Sequence, residues 1–303
     1  MATPIVETGT SKQELYLFSR RDEEEKNRLE EQSKAIRVVR EGHVLDPRIP
    51  KQDVSRIADI ATGTGIWLRE VAAELADSGN NAPVEMVGFD ISAEQFPKSP
   101  APKNKLVLWD MTTRFPKEYH GSFDVVHVRL VVLAIKVEQI KGVVQNLVEL
   151  LRPGGYLQWS DISYKTGRMI TYPDDYGDLS LKPQVDMMLK YWNDQGLSLD
   201  ITGDVEKALQ DLPVEEVHVT DHSDACFRRP EINDVVVEWQ SRAESLIMEM
   251  LSSRNGLSKE QAKMVAYAYR KKILEKAKQG VIFRVTMATL VARRNIELRG
   301  NQK

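Results

Sequence analysis

Cysteine is nearly missing from this sequence. Cys226 is the only one, which excludes an intrachain disulfide and a cysteine cluster for a metal. His43, His120, His218 and His222 are dispersed, with no spacing that suits a metal site. Charge of one sign is scarce in excess: 42 Lys and Arg stand against 45 Asp and Glu, a net charge of -3. That balance provides no electrostatic footprint for nucleic acid or an anionic membrane. No apolar run approaches the roughly 20 residues of a membrane span. The opening MATPIVETGTSKQ lacks the basic and apolar regions of a signal peptide. Repeats and low-complexity segments are also lacking. These absences predict a soluble, cytoplasmic chain that needs no metal. With 303 residues, 42% hydrophobic and 29% charged, there is length for one large α/β domain or two small ones.

What is present begins with RIADIATGTGIWLREVAAEL at residues 56–75. A buried strand runs into Ala61-Thr62-Gly63-Thr64-Gly65, and an amphipathic helix follows with Trp67, Leu68, Val71 and Leu75 on its apolar side. Further strands are predicted at 84–90, 105–110, 123–129 and 156–162, with a helix near 137–151 before the last of them. Near-continuous apolar strands alternating with helices predict a parallel sheet covered on both faces. Residues 1–13 are expected to be disordered. A charged helical segment spans 14–41, whose run 20–31 reads as a solvated face, and Pro47 and Pro50 close it. Helices at 183–194 and 204–212, a strand at 214–222, one long helical stretch at 230–279 and a strand at 281–293 complete the chain.

Strand, glycine turn and helix together bring backbone close to a nucleotide-like ligand. A dinucleotide site wants G-x-G-x-x-G, and here Leu68 stands where the third glycine belongs. Asp59 before the turn suits a cationic ligand better than a pyrophosphate. Asp90 ends the second strand, where a carboxylate accepts ribose hydroxyls. Asp110 ends the third, placed to accept from an adenine amino group, with Met111 beside it to pack on the ring. This spacing favours S-adenosylmethionine over NAD.

The set Asp59-x-Ala61-x-Gly63-x-Gly65, Gly88-Phe-Asp90, Trp109-Asp110, Phe123-Asp124-Val-Val and Leu151-Arg-Pro-Gly-Gly-Tyr156 resembles the class I S-adenosylmethionine-dependent methyltransferases. Within that class, YLFSRRDEEEKNRLEEQ and GGYLQWSDI resemble the small-molecule methyltransferases of fungal secondary-metabolite clusters. The chain departs from the family pattern at Ala61, where glycine is usual, and at Ser33 after Gln32, where several relatives have histidine. The resemblance implies an α/β, Rossmann-like seven-stranded sheet of order 3-2-1-4-5-7-6 with the last strand antiparallel. A helical lid segment (14–50) would precede a methyltransferase domain (51–303), with a helical insertion at about 230–279 before the last strand.

It also implies roles. Asp59, Ala61, Thr62, Gly63, Gly65, Asp90, Ile91, Asp110, Met111 and the Val128 carbonyl would hold the cofactor, with Tyr16 and Arg20 covering it. His127 is a candidate base, or else a hydrogen-bonded core residue. Arg129 is placed either to bind substrate or to pair with Asp161 or Asp124. Asp161 and Tyr164, with Trp159 and Tyr172, would line the acceptor pocket, and Asp124 is expected to be structural. The implied reaction is methyl transfer to a hydroxyl or amine of a small molecule. The alternative is a cofactor-binding protein of this fold that catalyses a cyclisation or acts as a regulatory partner. The 230–279 helices have two readings, a lid or a homodimer interface.

Overall fold

The computed structural model describes residues 23–80, 83–97, 104–163 and 181–296. The expectations for 1–13, Tyr16, Arg20, Tyr164 and Tyr172 fall outside these residues. Strands β1 (Arg56–Ile60), β2 (Glu85–Asp90), β3 (Asn104–Leu108), β4 (Phe123–Arg129), β5 (Leu151–Ile162), β6 (Val214–Asp221) and β7 (Met287–Arg294) form one seven-stranded sheet. Its order is 3-2-1-4-5-7-6, as the family resemblance implied. Neighbours among β1 to β5 run parallel, while β7 is antiparallel to both β5 and β6.

Side chains alternate between the two faces of each strand. Ile57 and Val125 pack on one face with Trp67, Leu68, Val71 and Leu75 of α2 (Ile66–Asp77). Ala58, Ile60, Val126 and Val128 pack on the other with Ile140, Val143, Val144 and Leu147 of α3 (Val137–Leu150). Both faces being covered, the central strands are apolar almost throughout, which is why they are legible in the sequence. The order reverses between β1, which pairs β2, and β4, which pairs β5. A crevice therefore opens at the carboxyl ends of β1 and β4. The opposite ends are fixed by Asp124. Its carboxylate accepts from Ser55 N, Ser55 Oγ and Arg56 N at 2.7–2.8 Å and pairs with Arg152. Burial opposes that charge, yet the bonds from Arg152, Ser55 and Arg56 hold the carboxyl below its ordinary range.

The remaining helices are α1 (Glu23–Val39), α4 (Lys182–Asp194), α5 (Ile201–Leu209), α6 (Ala225–Arg228), α7 (Asn233–Arg254) and α8 (Lys259–Lys278). The helical stretch 230–279 consists of α7 and α8, parted where Gly256 adopts φ +90 and Ser258 forms a capping box with Gln261. Two sequence expectations are corrected. The last strand begins at Met287 rather than at 281, because Asn233 of α7 takes the preceding segment through Phe283 N and the Val281 carbonyl. The charged run 20–31 is not wholly solvated. Glu25 and Arg28 are 7% and 6% exposed and form a two-point pair at 2.6 and 2.7 Å. Among the described residues no helix is long and apolar enough to cross a membrane.

Gly88 sits where β2 passes under the β1–α2 turn. A Cβ there would come within 2.8 Å of both Leu106 Cδ2 and Thr62 Cγ2. Gly88→Ala is therefore expected to lower the unfolding free energy by about 1–3 kcal/mol in urea titrations. An unchanged midpoint would mean that the turn yields to the methyl group at no cost.

Candidate functional site

The turn after β1 has a left-handed backbone at alternate positions, with φ +57 at Ala61, +53 at Gly63 and +66 at Gly65. Glycine accepts this conformation freely, whereas alanine is strained by about 1–2 kcal/mol. Two bonds hold the turn down: Thr62 N donates to the Phe89 carbonyl at 3.0 Å, and Thr62 Oγ1 to Asp59 Oδ2 at 2.6 Å. The other Asp59 oxygen, Oδ1, accepts from His127 Nδ1 at 2.7 Å. The imidazole lies flat against Trp67, ring centres 3.7 Å apart and planes 2° from parallel. Burial lowers the His127 pKa to about 4, against the pull of Asp59. A neutral ring that donates through Nδ1 follows from that partner.

The crevice is a cavity of about 210 Å³. Its floor is the turn, with Ala61, Thr62, Gly63 and Thr64 on the wall. Asp90 at the end of β2 is followed by Ile91 and Gln95, and after β3 come Trp109, Asp110, Met111 and Thr112. Arg129 ends β4 and is followed by Leu130 and Val131, and Glu25, Leu29 and Gln32 of α1 close the cavity from above. Asp90 accepts from Gly63 N at 2.8 Å and Ser92 N at 3.0 Å, which positions its carboxylate between the turn and β2. Asp110 accepts from Thr112 N and Oγ1 at 2.9 and 2.7 Å. Arg129 is 15% exposed at its side chain, 4.0 Å from Glu70. Burial pulls its pKa down, while Asp59 and Glu70 support its charge. Glu70 in turn accepts from Ser33 Oγ at 2.6 Å, so this departure from the family pattern ties α1 to α2.

Thus Ala61, Thr62, Gly63, Asp90, Ile91, Asp110, Met111 and Arg129 meet in one cavity, and five proposed site residues do not reach it. Asp59 is 2% exposed beneath the turn with both oxygens engaged, so it shapes the site from behind. His127 is fully buried under Trp67 and is corrected from candidate base to core support of Asp59. Val128 pairs with Ile60 and Trp159 inside the sheet, and its neighbours Arg129 and Leu130 face the cavity instead. Asp161 is fully buried, accepting from Val131 N, Val132 N, Trp159 Nε1 and Ile162 N. Burial pushes it up to about 7 against those four donors, and its work is to hold the segment after β4. Gly65 caps α2 and makes no wall. Sequence reasoning missed Gln95, Gln139 and the α1 residues. The spacing of Glu25, Leu29 and Gln32, which shares one helix face, was the available signal.

A family model described as a methyltransferase domain matches residues 58–157, the stretch that builds this cavity. Methyltransferase grgD of Penicillium sp is 29% identical over 66% of this chain and 70% of its own length. N-methyltransferase sirN of Leptosphaeria maculans is 32% identical over 50% of this chain and 51% of its own. The secondary metabolism regulator LAE1 of Cochliobolus heterostrophus is 29% identical over 59% of this chain and 52% of its own. The chain thus spans about half the length of several curated relatives it matches. In fold it is similar to phosphoethanolamine N-methyltransferase 2 of Haemonchus contortus in complex with S-adenosyl-L-methionine. The TM-score is 0.51 at 15% identity, over 87% of this chain and 52% of that one.

Residues 58–157 thus match a methyltransferase domain, and several of the relatives are named as methyltransferases. The cavity at the end of this domain fits S-adenosylmethionine. The carboxylates of Glu25, Asp90 and Asp110 and the Arg129 guanidinium stand on a wall with polar amides and apolar side chains, matching a ligand with hydroxyls, amino groups and a carboxylate. Gln95 Nε2 and Oε1, Thr64 Oγ1 and Trp109 Nε1 are buried on that wall without a protein hydrogen-bond partner. Buried polar atoms of this kind are costly unless something else meets them.

Strain at Ala61 gives a separate check on the turn. Ala61→Gly removes the left-handed penalty but adds flexibility to the unfolded chain, a difference that nets to a gain of up to about 1 kcal/mol. Thermal or urea unfolding should show equal or higher stability. A loss of stability would mean that the alanine methyl group packs favourably where it stands.

Proposed function

We propose that this methyltransferase transfers a methyl group to a nitrogen or oxygen of a small molecule in secondary metabolism. The reading is supported by relatives named as methyltransferases, N-methyltransferases among them. One observation carries it: the unpartnered polar atoms of Gln95, Thr64 and Trp109 converge on a cavity at the carboxyl ends of β1 to β4. Asp90 would take the ribose hydroxyls. Asp110, held by Thr112, would face the adenine edge between Trp109 and Met111. Arg129 would pair with the carboxylate of the methionine part.

When bound, the cofactor supplies a methyl group already activated by its sulfonium. The protein's contribution is then alignment, for which good orientation is worth on the order of 7–11 kcal/mol, and exclusion of water. Exclusion falls to α1, whose Glu25, Leu29 and Gln32 cover the cavity and whose Ala35, Ile36 and Val39 pack with Val236 and Trp239 of α7. This is the lid role proposed for 14–50 and for the insertion. The relative named as a regulator favours a second reading, in which the chain binds cofactor and acts on a partner without turnover.

Calorimetry with S-adenosylmethionine tests the cofactor site, and adenosylhomocysteine formed with small amines and phenols separates transfer from regulation. Asp90→Ala should weaken cofactor binding by roughly 1–3 kcal/mol, typical of a charge-assisted bond. Gln95→Leu has a sharper signature: it removes buried polar atoms that nothing in the free protein satisfies. The variant should therefore unfold no earlier than the parent while binding cofactor more weakly. Unchanged affinity in both folded variants would remove this cavity as the cofactor site.

A further inference from the structure

A second cavity, of about 60 Å³, lies beside the first, and Gln32 and Leu130 line both. Leu130 takes φ +55, a left-handed backbone that leucine adopts only under strain, with its N–H held by the Ser160 carbonyl at 3.0 Å. The strained residue is the partition between two spaces. The second cavity is otherwise apolar on the β5 side, through Val132, Leu133 and Ile162, and polar on the α7 side.

Two groups on that polar side have no role in the fold described above. Trp239 Nε1 is buried on the cavity wall without a hydrogen-bond partner. Glu244 is 7% exposed, and one carboxylate oxygen, Oε2, accepts from Tyr269 Oη of α8 at 2.7 Å. Burial raises its pKa to about 8, and the Tyr269 bond only partly offsets this. The charged group on the same cavity from α1 is Arg28, and it is bonded to Glu25. A carboxyl buried beside a cavity with one hydrogen bond is costly to keep, and such groups cluster at functional sites.

Resting on the cofactor reading above, we propose that this second cavity takes the methyl acceptor, a compact uncharged molecule with a weakly basic N–H, and that Glu244 is its base. The N–CH₃ bond forms as the S–CH₃ bond breaks, and the S–CH₃ electron pair returns to sulfur. The N–H proton passes to a Glu244 carboxylate oxygen, so the positive charge of the sulfonium and the negative charge of the carboxylate disappear together. Trp239 Nε1–H donates to an oxygen or to the aromatic face of the acceptor and sets its orientation. A protonated alkylamine is excluded, because its lone pair is occupied and Arg28 stands at the wall. A weakly basic nitrogen keeps its lone pair free at neutral pH, and in a cavity closed to water the carboxylate takes the proton that methylation makes acidic.

Indoline, an uncharged secondary arylamine, is the probe. Wild-type protein loaded with S-adenosylmethionine should methylate it, with adenosylhomocysteine formation rising with pH through about 8 as Glu244 ionises. Glu244→Gln keeps an acceptor for Tyr269. It should bind cofactor within twofold of wild type, lower kcat at least roughly 100-fold with little change in KM, and lose the limb near pH 8. Ala243 of α7 lines the second cavity and not the first, so Ala243→Trp fills it and should abolish indoline binding to the adenosylhomocysteine complex while leaving cofactor affinity intact. Turnover of Glu244→Gln within threefold of wild type overturns the base. Indoline binding that survives Ala243→Trp overturns the location. Cofactor binding with neither binding nor methylation of indoline overturns this proposal alone, whereas failure to bind cofactor overturns the site reading and this proposal with it.

Discussion

The Asp59 carboxylate is 2% exposed and carries one hydrogen bond on each oxygen, from Thr62 Oγ1 at 2.6 Å and with His127 Nδ1 at 2.7 Å. Burying a carboxylate is expensive unless it is hydrogen-bonded, so these two partners are held to it firmly. The first partner pulls the β1–α2 turn onto the end of the sheet. The second joins β1 to β4, its neighbour across the switch point, and rests on Trp67 of α2. A turn with three left-handed residues is not self-supporting, because such a backbone gains little from its own bonds. The anchor beneath it makes the curved floor of the cavity a fixed surface. Asp90 then meets that floor through Gly63 N, and Gly88 leaves room for Thr62 to lie over β2.

The other wall is made by helices remote in sequence. α1 gives Glu25 to the first cavity and Arg28 to the second, and the pair between them closes the helix face where the two spaces meet. Glu31 of α1 pairs with Arg242 of α7, and Arg229 reaches the Val38 and Val39 carbonyls. Exposed pairs of this kind contribute little to stability. Their value lies in orientation, and the apolar contacts of Ala35, Ile36 and Val39 supply the attraction.

How much of this was legible follows from which forces act locally. Each central strand is an apolar run ended by a charged residue, so Asp90 and Asp110 could be placed at strand ends from spacing alone, and the structure puts both on the cavity wall. Burial on both faces hides which way a given residue points. His127 and Arg129 are two apart on β4 and looked equally suited to chemistry, yet one supports Asp59 in the core and the other lines the cavity. The sheet order came with the family resemblance, because strand pairing across long connections leaves no local mark. The break between α7 and α8 is marked by ordinary helix-end residues, Gly256 and Ser258. Glu25, Arg28 and Glu244 were hidden for a different reason. Charge normally reports solvent, and only a distant helix turned these three inward.

That last difference separates the two cavities physically. The first is built by adjacent strand ends, where backbone geometry alone brings turn, carboxylates and guanidinium together. Such a site varies little as long as the sheet persists. The second is built by α1, α7 and the end of β5, joined by side-chain packing that any insertion can reshape. Such a division lets one site be kept while the other is rewritten, as folds that host several functions require. Leu130 lies at the junction, bonded to β5 through the Ser160 carbonyl and strained in its backbone. Its strain is sustained from the rigid side. Asp161 on β5 accepts the N–H groups of Val131 and Val132 immediately after it, and thereby fixes the segment that both cavities share.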